Sequence, residues 1–488
     1  MSWSKRLITR QWPFWFGGLF VGLAEILYYI HTDSFIVVTT GFAQMYAVSE
    51  HLVGLNWVGR VYEPGIHWTI IGALLGARLV GIMENEVRGW VRYDRRMLLL
   101  AFIGGFLFSF GTRIAAGCTT HHFVGGIPSM SIASWVVLLT GIPFAFLAFK
   151  IALKMGLGNY FRHQETLSVA CECYGDSEHH NHAYQPHYNP WKDPMRWVLN
   201  AVLITFIGVP LVFAIFGEVV INAKDQITLT ESTFGYAIMG AVSEIGWKEV
   251  LWMTIPGILL GVGIAKCGFG TECSVMAPEA VFIKEKTYCG AGLPQATYKM
   301  FRGMLPLQGF MLAIVPFNLY ILVSWYLGVG SIPNAAGEQG LYWGHILGGP
   351  LLAMGAVLMI GCEVRTYARL GLGYMTALAA LPGFFIGYLP YTLFQEQINT
   401  VVFGEGLTDY ITIPEWMAAT FGGTELGWSI GYSIFLIGIL AFSFEAGRRF
   451  LKVNLKAIVF KNTDELVYPE RLTVNFTANS AKPALSTD

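Results

Sequence analysis

The chain has 488 residues; 54% are hydrophobic, only 13% are charged, and the formal net charge is −1. With its 56 glycines the apolar class reaches about 65%, against roughly 45–50% in soluble domains. So few charges cannot cover a soluble surface, which excludes a disordered chain, a nucleic-acid binder and an ordinary cytosolic enzyme. The composition fits an all-α polytopic membrane protein.

In chain order, apolar runs long enough to cross hydrocarbon as helices fall at 12–30, 65–83, 97–117, 131–153, 197–216, 250–266, 303–328, 342–361, 373–394 and 427–446. Two apolar pieces, 36–46 and 233–242, are too short to span and are expected as re-entrant half-helices or surface segments. The basic start (Lys5, Arg6, Arg10) leads into a long run with no small-x-small cleavage site, so it reads as the first span rather than a signal peptide.

Lys and Arg orient these spans, because cytoplasmic loops carry the excess. With the N-terminus inside, the four internal inside loops hold fifteen, Arg365 and Arg369 among them, and the outside loops hold Arg60, Lys224 and Lys248. The basic tail (Arg448, Arg449, Lys452, Lys456, Lys461) also belongs inside, which ten crossings allow. The expected protein is multi-pass in the inner (plasma) membrane, with both termini cytoplasmic. Its expected parts are a first membrane half (1–153, spans 1–4), a cytoplasmic Cys/His-rich loop (154–196), and span 5 with an external segment (197–249). A second membrane half (250–394, spans 6–9), an external acidic segment (395–426), span 10 (427–446) and a cytoplasmic basic tail (447–488) follow.

An internal repeat is visible. Gly104-Gly105 precedes Cys118, and Gly348-Gly349 precedes Cys362, with 13 residues from second glycine to cysteine in both cases. A polar, Gly-containing stretch and another span follow each cysteine. Five spans separate the copies, an odd number, so the halves are expected to be inverted five-helix repeats with the substrate path at their interface. The bland alternative is chance similarity between two Gly-rich helices.

Four of the seven cysteines (Cys118, Cys267, Cys273 and Cys362) stand at or near span ends. A buried cysteine is ordinarily an inert small hydrophobe. Here each has Gly, Thr, His, Lys or Arg neighbours where a helix stops, a setting of cations and free backbone N–H groups that favours anions.

At these residues the chain resembles the YeeE/YedE family of sulfur-compound transporters. Gly111-Thr112-Arg113-Ile114-Ala115-Ala116-Gly117-Cys118-Thr119-Thr120-His121 looks like its glycine–arginine–cysteine signature. Gly361-Cys362, followed by Arg365, Arg369, Leu370, Gly371 and Gly373, looks like its second-half signature, and Val38-Thr39-Thr40-Gly41-Phe42 resembles a third short element. The resemblance runs from about residue 12 to 394. It implies uptake of thiosulfate or a related sulfur oxyanion past a line of cysteines, in a funnel of two inverted halves. The chain departs from the pattern in its length, in the second His after Thr120, in a loose match over 266–274, and in the 154–196 loop, the acidic segment and the tail.

The residues support the same chemistry independently. An anion crossing hydrocarbon needs cations and backbone N–H groups at broken helices. Thiols are weak donors and would hold a soft sulfur atom loosely enough to release it. Cys118 and Cys362 are expected at opposite ends of the path, with Cys267 or Cys273 between them or beside one end; Thr119 lies beside the first. Arg113, His121, Lys266 and Arg365 would set the anionic preference. The plain readings are inside-positive anchoring for Arg365 and Arg369, and an exposed polar loop for His121-His122. Glu25 and Arg78 are ionisable at membrane depth; a Glu25–Arg113 pair is geometrically allowed, and Glu25 is the candidate for proton coupling.

Cys171, Cys173, His179, His180, His182 and His187 lie in the 154–196 loop. They form a zinc or copper candidate of no standard spacing, a docking site for a small cytosolic sulfur carrier, or simply a polar linker. Two rivals to an anion transporter stand: a membrane sulfur-transfer component that forms a persulfide and hands sulfur to a cytosolic carrier, and a metal transporter. The cations around the cysteines count against the metal reading, and no ATP-binding fingerprint appears.

Overall fold

The computed structural model describes residues 12–32, 34–52, 54–62, 65–83, 95–155, 197–198, 200–205, 208, 247–267, 303–329, 340–461 and 466. The described residues are overwhelmingly helical. The helices are α1 (Phe14–Thr32), α2 (Val38–Leu52), α3 (Trp68–Met83), α4 (Arg95–Ile114), α5 (Ile132–Lys154), α6 (Trp247–Cys267), α7 (Leu305–Tyr326), α8 (Trp343–Leu358), α9 (Glu363–Leu372), α10 (Met375–Leu393), α11 (Gln395–Val402), α12 (Ile413–Phe421), α13 (Glu425–Leu451) and α14 (Leu455–Phe460). A π-helical segment, Thr120–Gly126, follows α4.

Among the described residues, eight helical stretches are long and apolar enough to cross a membrane, α8 and α9 counting as one. The chain is therefore an all-α multi-pass membrane protein. Those eight match eight of the ten expected spans. The run at 65–83 appears as the 16-residue α3; most of 197–216, all of 233–242, residues 156–196 of the expected loop and Cys273 lie outside the described residues.

In lipid there is no hydrophobic force between helices, so association rests on close packing, and glycine lets backbones touch. That is how the long helices pair. A side chain at Gly18 of α1 would run into the Gly309 carbonyl of α7, and one at Gly257 of α6 into the Thr69 carbonyl of α3. α6 also packs on α1, α4 packs on both α8 and α10, and α5 packs on α8. α13 lies against α7 and α12, with Gln308 Nε2 donating to the Ser443 carbonyl at 3.0 Å.

One expectation needs correction. The residues after Cys362 are not an inside loop. They form α9, all ten of whose residues are buried, packed on α3 and α6 and touching α2 and α10. The piece at 36–46 runs into a 15-residue helix, α2, with Val38 and Thr39 buried. The acidic segment 395–426 folds as α11 and α12. It is tied to the loop before α5 where Ile132 N–H donates to Ile411 O and Ile413 N–H to Met130 O, both near 3 Å.

Candidate functional site

The two Gly-Gly helices end identically, residue for residue, 244 positions apart. At the end of α4, Ala115 N–H bonds Gly111 O, Ala116 N–H bonds Arg113 O, and Gly117 N–H bonds Thr112 O. At the end of α8, Met359 bonds Gly355, Ile360 bonds Val357, and Gly361 bonds Ala356 in the same way. This is the paired-bond helix stop that requires one left-handed residue. That residue is Ala116 (φ 57°) in one copy and Ile360 (φ 63°) in the other. Glycine usually fills such a place; a β-branched side chain there is an outlier costing on the order of 1–3 kcal/mol.

Each cysteine then opens the next helical turn. His122 N–H bonds Cys118 O at 2.9 Å, and Thr366 N–H bonds Cys362 O at 2.8 Å. Both cysteines therefore sit between a stopped helix and the N-terminus of a short buried helix. Such N-termini present free N–H groups and partial positive charge. Cys118, Cys267 and Cys362 are all buried free thiols.

The following helix pins each turn. Arg369 of α9 donates through Nη1 to the carbonyls of Met359 and Ile360, both at 2.9 Å, through Nη2 to Thr376 Oγ1, and lies over the Tyr374 ring. At the first break His122 does the equivalent work: its Nε2 lies 2.9 Å from Ala115 O and its Nδ1 3.0 Å from Ser134 Oγ. Anchoring in an inside-positive loop is thus not what Arg365 and Arg369 do; they are among the largest fully buried side chains. Nor is His121-His122 an exposed loop, for both are buried in the π-helical segment, and His121 meets Phe35 edge to face. Hydropathy cannot anticipate this, because the partners that solvate these charges are carbonyls contributed by the fold.

Arg113 lies one turn before the first break. Its Nε donates to Thr112 Oγ1, and its Nη1 to Thr40 Oγ1 (3.2 Å) and Tyr62 Oη (3.0 Å). The guanidinium also lies over the rings of Tyr62 and Tyr388. Nη2 takes no part in these bonds. Among the described residues these hydrogen-bond partners are neutral hydroxyls, so they orient the positive charge without pairing it to a carboxylate. Burial pushes the Tyr62 phenol above its ordinary pKa, against the pull of Arg113, and keeps it un-ionised. Tyr388 Oη donates to Thr39 O at 2.9 Å, and the Cys118 sulfur lies against Thr39 and the backbone of His121. The short element Val38–Phe42 thereby meets the first break.

Glu25 does not pair with Arg113. Its Oε1 accepts the Ile36 N–H at 2.9 Å, and its buried Oε2 has no hydrogen-bond partner among the described residues. The carboxyl braces the turn between α1 and α2, a local acceptor role that outcompetes a distant cation. Lys266 is buried beside Cys267 at the end of α6, over the Trp12 ring, and its carbonyl accepts from Trp12 N–H. Thr119 is buried between Cys118 and the π-helical segment. Arg78 Nη1 donates to Gly371 O of α9 at 3.3 Å.

The two breaks are separated along the α4–α8 pair. Gly104 of α4 meets Met359, while Gly348 of α8 meets Ala115. Eleven helical residues part Gly104 from Ala115, roughly 17 Å at 1.5 Å per residue. One residue that sequence reasoning passed over adjoins the second break. Glu363, next to Cys362 and 1% exposed, lies within electrostatic reach of Cys118, Arg113, Tyr367 and Tyr388. Its place directly after Cys362 at the first turn of α9 was the available signal.

Residues 1–143 match the sequence family described as sulphur transport. Over these residues the chain is similar to that family. A stretch of 82 residues is 30% identical to the thiosulfate transporter TsuA of Spirochaeta thermophila, covering 17% of this chain and 22% of that protein. A stretch of 177 residues is 26% identical to the probable transporter YedE of Escherichia coli and 27% to that of Salmonella typhimurium, covering 32% of this chain and 44% of each relative. The matches therefore span less than half the length of these relatives. The family match contains the first break, with Arg113 and Cys118; the second lies beyond it.

The metal candidate at Cys171, Cys173, His179, His180, His182 and His187 lies outside the described residues. Among the described residues, no group of three or more His, Cys, Asp or Glu is arranged to hold a metal ion.

Proposed function

We propose that the protein carries a sulfur-containing anion such as thiosulfate across the inner membrane, along a path from Cys118 to Cys362, between two inverted halves. The observation that carries this reading is the duplicated break: one stop, one strained residue, one buried cysteine and one short helix N-terminus, repeated at a spacing of 244 residues. The packing pairs support the inversion. Exchanging α1 with α6, α3 with α7, α4 with α8 and α5 with α10 maps α1–α7 onto α3–α6 and α4–α10 onto α5–α8. Broken helices related in this way are how membrane transporters present backbone N–H groups to an anion near mid-depth.

Arg113 supplies the attraction, its guanidinium oriented by the hydroxyls of Thr40 and Tyr62. The thiols of Cys118 and Cys362 supply weak contacts for a soft sulfur atom. Cys267 and Lys266 belong to a later stage of the same route, with Thr119, His121 and Arg365 shaping its walls; Cys273 is proposed there from its sequence position alone. The inside-positive bias survives removal of Arg365 and Arg369 from the loops, so both termini are placed in the cytoplasm. The relatives named above are a thiosulfate transporter and two probable transporters. Burial of Cys118, Cys267 and Cys362 also argues against the sulfur-transfer alternative, since a soluble carrier could not reach these thiols.

Ligand-induced stabilisation of the purified protein tests this. Thiosulfate at about 100 times its Kd should add about 2.7 kcal/mol of stability, and sulfate should add far less. The Cys118→Ala and Cys362→Ala variants should lose most of the difference. Equal stabilisation by sulfate in all three proteins would remove the sulfur-recognition role from the cysteines.

A further inference from the structure

Resting on that reading, the geometry points to Tyr62 as the gate of the anion site and to Glu50 as the residue that positions it. The Tyr62 hydroxyl holds a donor of Arg113 while no anion is bound, gives it up to an arriving anion, and reclaims it as the anion leaves.

The donors of Arg113 carry the first step. Nη1 has two hydrogens, and it donates to two hydroxyls, Thr40 Oγ1 at 3.2 Å and Tyr62 Oη at 3.0 Å. Nε has one hydrogen, and Thr112 Oγ1 accepts it. A guanidinium grips an oxyanion with two parallel N–H donors, Nη2 acting together with either Nε or Nη1. In either fork a hydroxyl must give way first. Thr112 is the neighbouring residue on α4, and Thr40 stands in the first turn of α2, so both are short side chains fixed to helices. Tyr62 reaches Arg113 with a long side chain from the segment between α2 and α3, is itself half-buried, and follows a stretch whose residues 54–57 and 60 are exposed. It can swing aside without moving a helix. Tyr388 stays behind: its ring lies 5.7 Å from the guanidinium and its hydroxyl is bonded to Thr39 O, so one aromatic face still holds the cation in place.

A line of hydrogen bonds fixes where Tyr62 stands. Its N–H donates to Val58 O at 3.0 Å. The Val58 N–H donates in turn to Glu50 Oε2 at 2.7 Å, and the N–H groups of Trp57 and Gly59 reach the same oxygen at 3.0 and 3.1 Å. Three successive backbone donors converging on one point are the arrangement that ordinarily receives an anion; here the chain's own carboxyl group fills it. Glu50 and Val58 are both buried. Glu50 thus fastens the turn that carries Tyr62, and Tyr62 meets Arg113. Passage also needs a site that is weak enough to be left, and a hydroxyl competing for the same donor supplies that weakness.

The test combines calorimetric titration of thiosulfate into the purified full-length protein with uptake of labelled thiosulfate into vesicles. It compares the parent, Tyr62→Phe, Glu50→Gln and the double variant. Tyr62→Phe keeps the ring and removes only the competing hydroxyl. It should bind thiosulfate about tenfold more tightly than the parent, with KM and the maximal uptake rate both lowered. Glu50→Gln keeps the side-chain size but loosens the hold on Val58, and should tighten binding by about threefold. The double variant should match Tyr62→Phe alone, because Glu50 acts through that hydroxyl. A merely structural role for Tyr62 would weaken binding or leave it unchanged. Tyr62→Phe that binds no more tightly than the parent overturns the gate, while leaving the anion reading intact. A Glu50→Gln effect that weakens binding, or that adds in full to that of Tyr62→Phe, overturns the positioning role. A parent that binds no thiosulfate overturns the anion reading, and the inference with it.

Discussion

Arg113 and Arg369 are both buried arginines beside a helix break, yet their surroundings give them different duties. Arg369 spends its donors on the carbonyls of Met359 and Ile360 and on Thr376, so it is a strut for a strained turn. Replacing it with Met leaves two buried carbonyls without that partner, at about 1–3 kcal/mol each. Arg369→Met should therefore lower the melting temperature of the purified protein markedly. Arg369→Lys should not restore it, because a single ammonium cannot reproduce the planar fork. Arg113, by contrast, is hydrogen-bonded among the described residues to hydroxyls alone, one turn before the first break. Arg113→Gln should instead leave melting nearly unchanged and abolish stabilisation by thiosulfate. A third prediction concerns the left-handed residues. Ala116→Gly should stabilise by up to about 1 kcal/mol, since glycine accepts φ near +57° without strain; a lower melting temperature would show that the Ala116 methyl group is needed for packing.

At the scale of elements, the long apolar helices were readable because hydropathy over a span-length window needs no tertiary information. The repeat was readable too, because a Gly-Gly pair and a cysteine at fixed spacing survive as letters. What failed to show was α9. Its sequence, with Glu363, Arg365 and Arg369, reads as a solvated loop. It is buried because turn carbonyls ten and nine residues earlier accept Arg369, and such contacts have no signature in composition. The same blindness hid Glu363 and made Glu25–Arg113 look like a natural pair. Helix pairing gives its own prediction. Gly257→Leu on α6 would push against the Thr69 carbonyl and force α3 away. This variant should be recovered aggregated or degraded, whereas Gly431→Leu on α13, where the added side chain meets nothing within 4 Å, should purify like the parent. Normal yield and melting for Gly257→Leu would disprove the close α3–α6 contact.

At the scale of the whole molecule, the chain joins a membrane core with two matching breaks to a peripheral helix, α13, and a strap of short helices, α11 and α12. The strap is fastened at Ile132 and Ile413 to the loop that follows the first break. The core accounts for an anion route: an oriented cation, buried thiols and two helix breaks about 17 Å apart along α4 and α8. The central claim is that this route moves a sulfur anion. Uptake of sulfur-labelled thiosulfate into vesicles holding the purified protein tests it most directly, comparing the parent with correctly folded Cys118→Ala and Cys362→Ala variants. The account predicts saturable uptake by the parent, competed by excess unlabelled thiosulfate but not by sulfate, and loss of most of that uptake in each variant. Full uptake by both variants, or none by the parent, would contradict it.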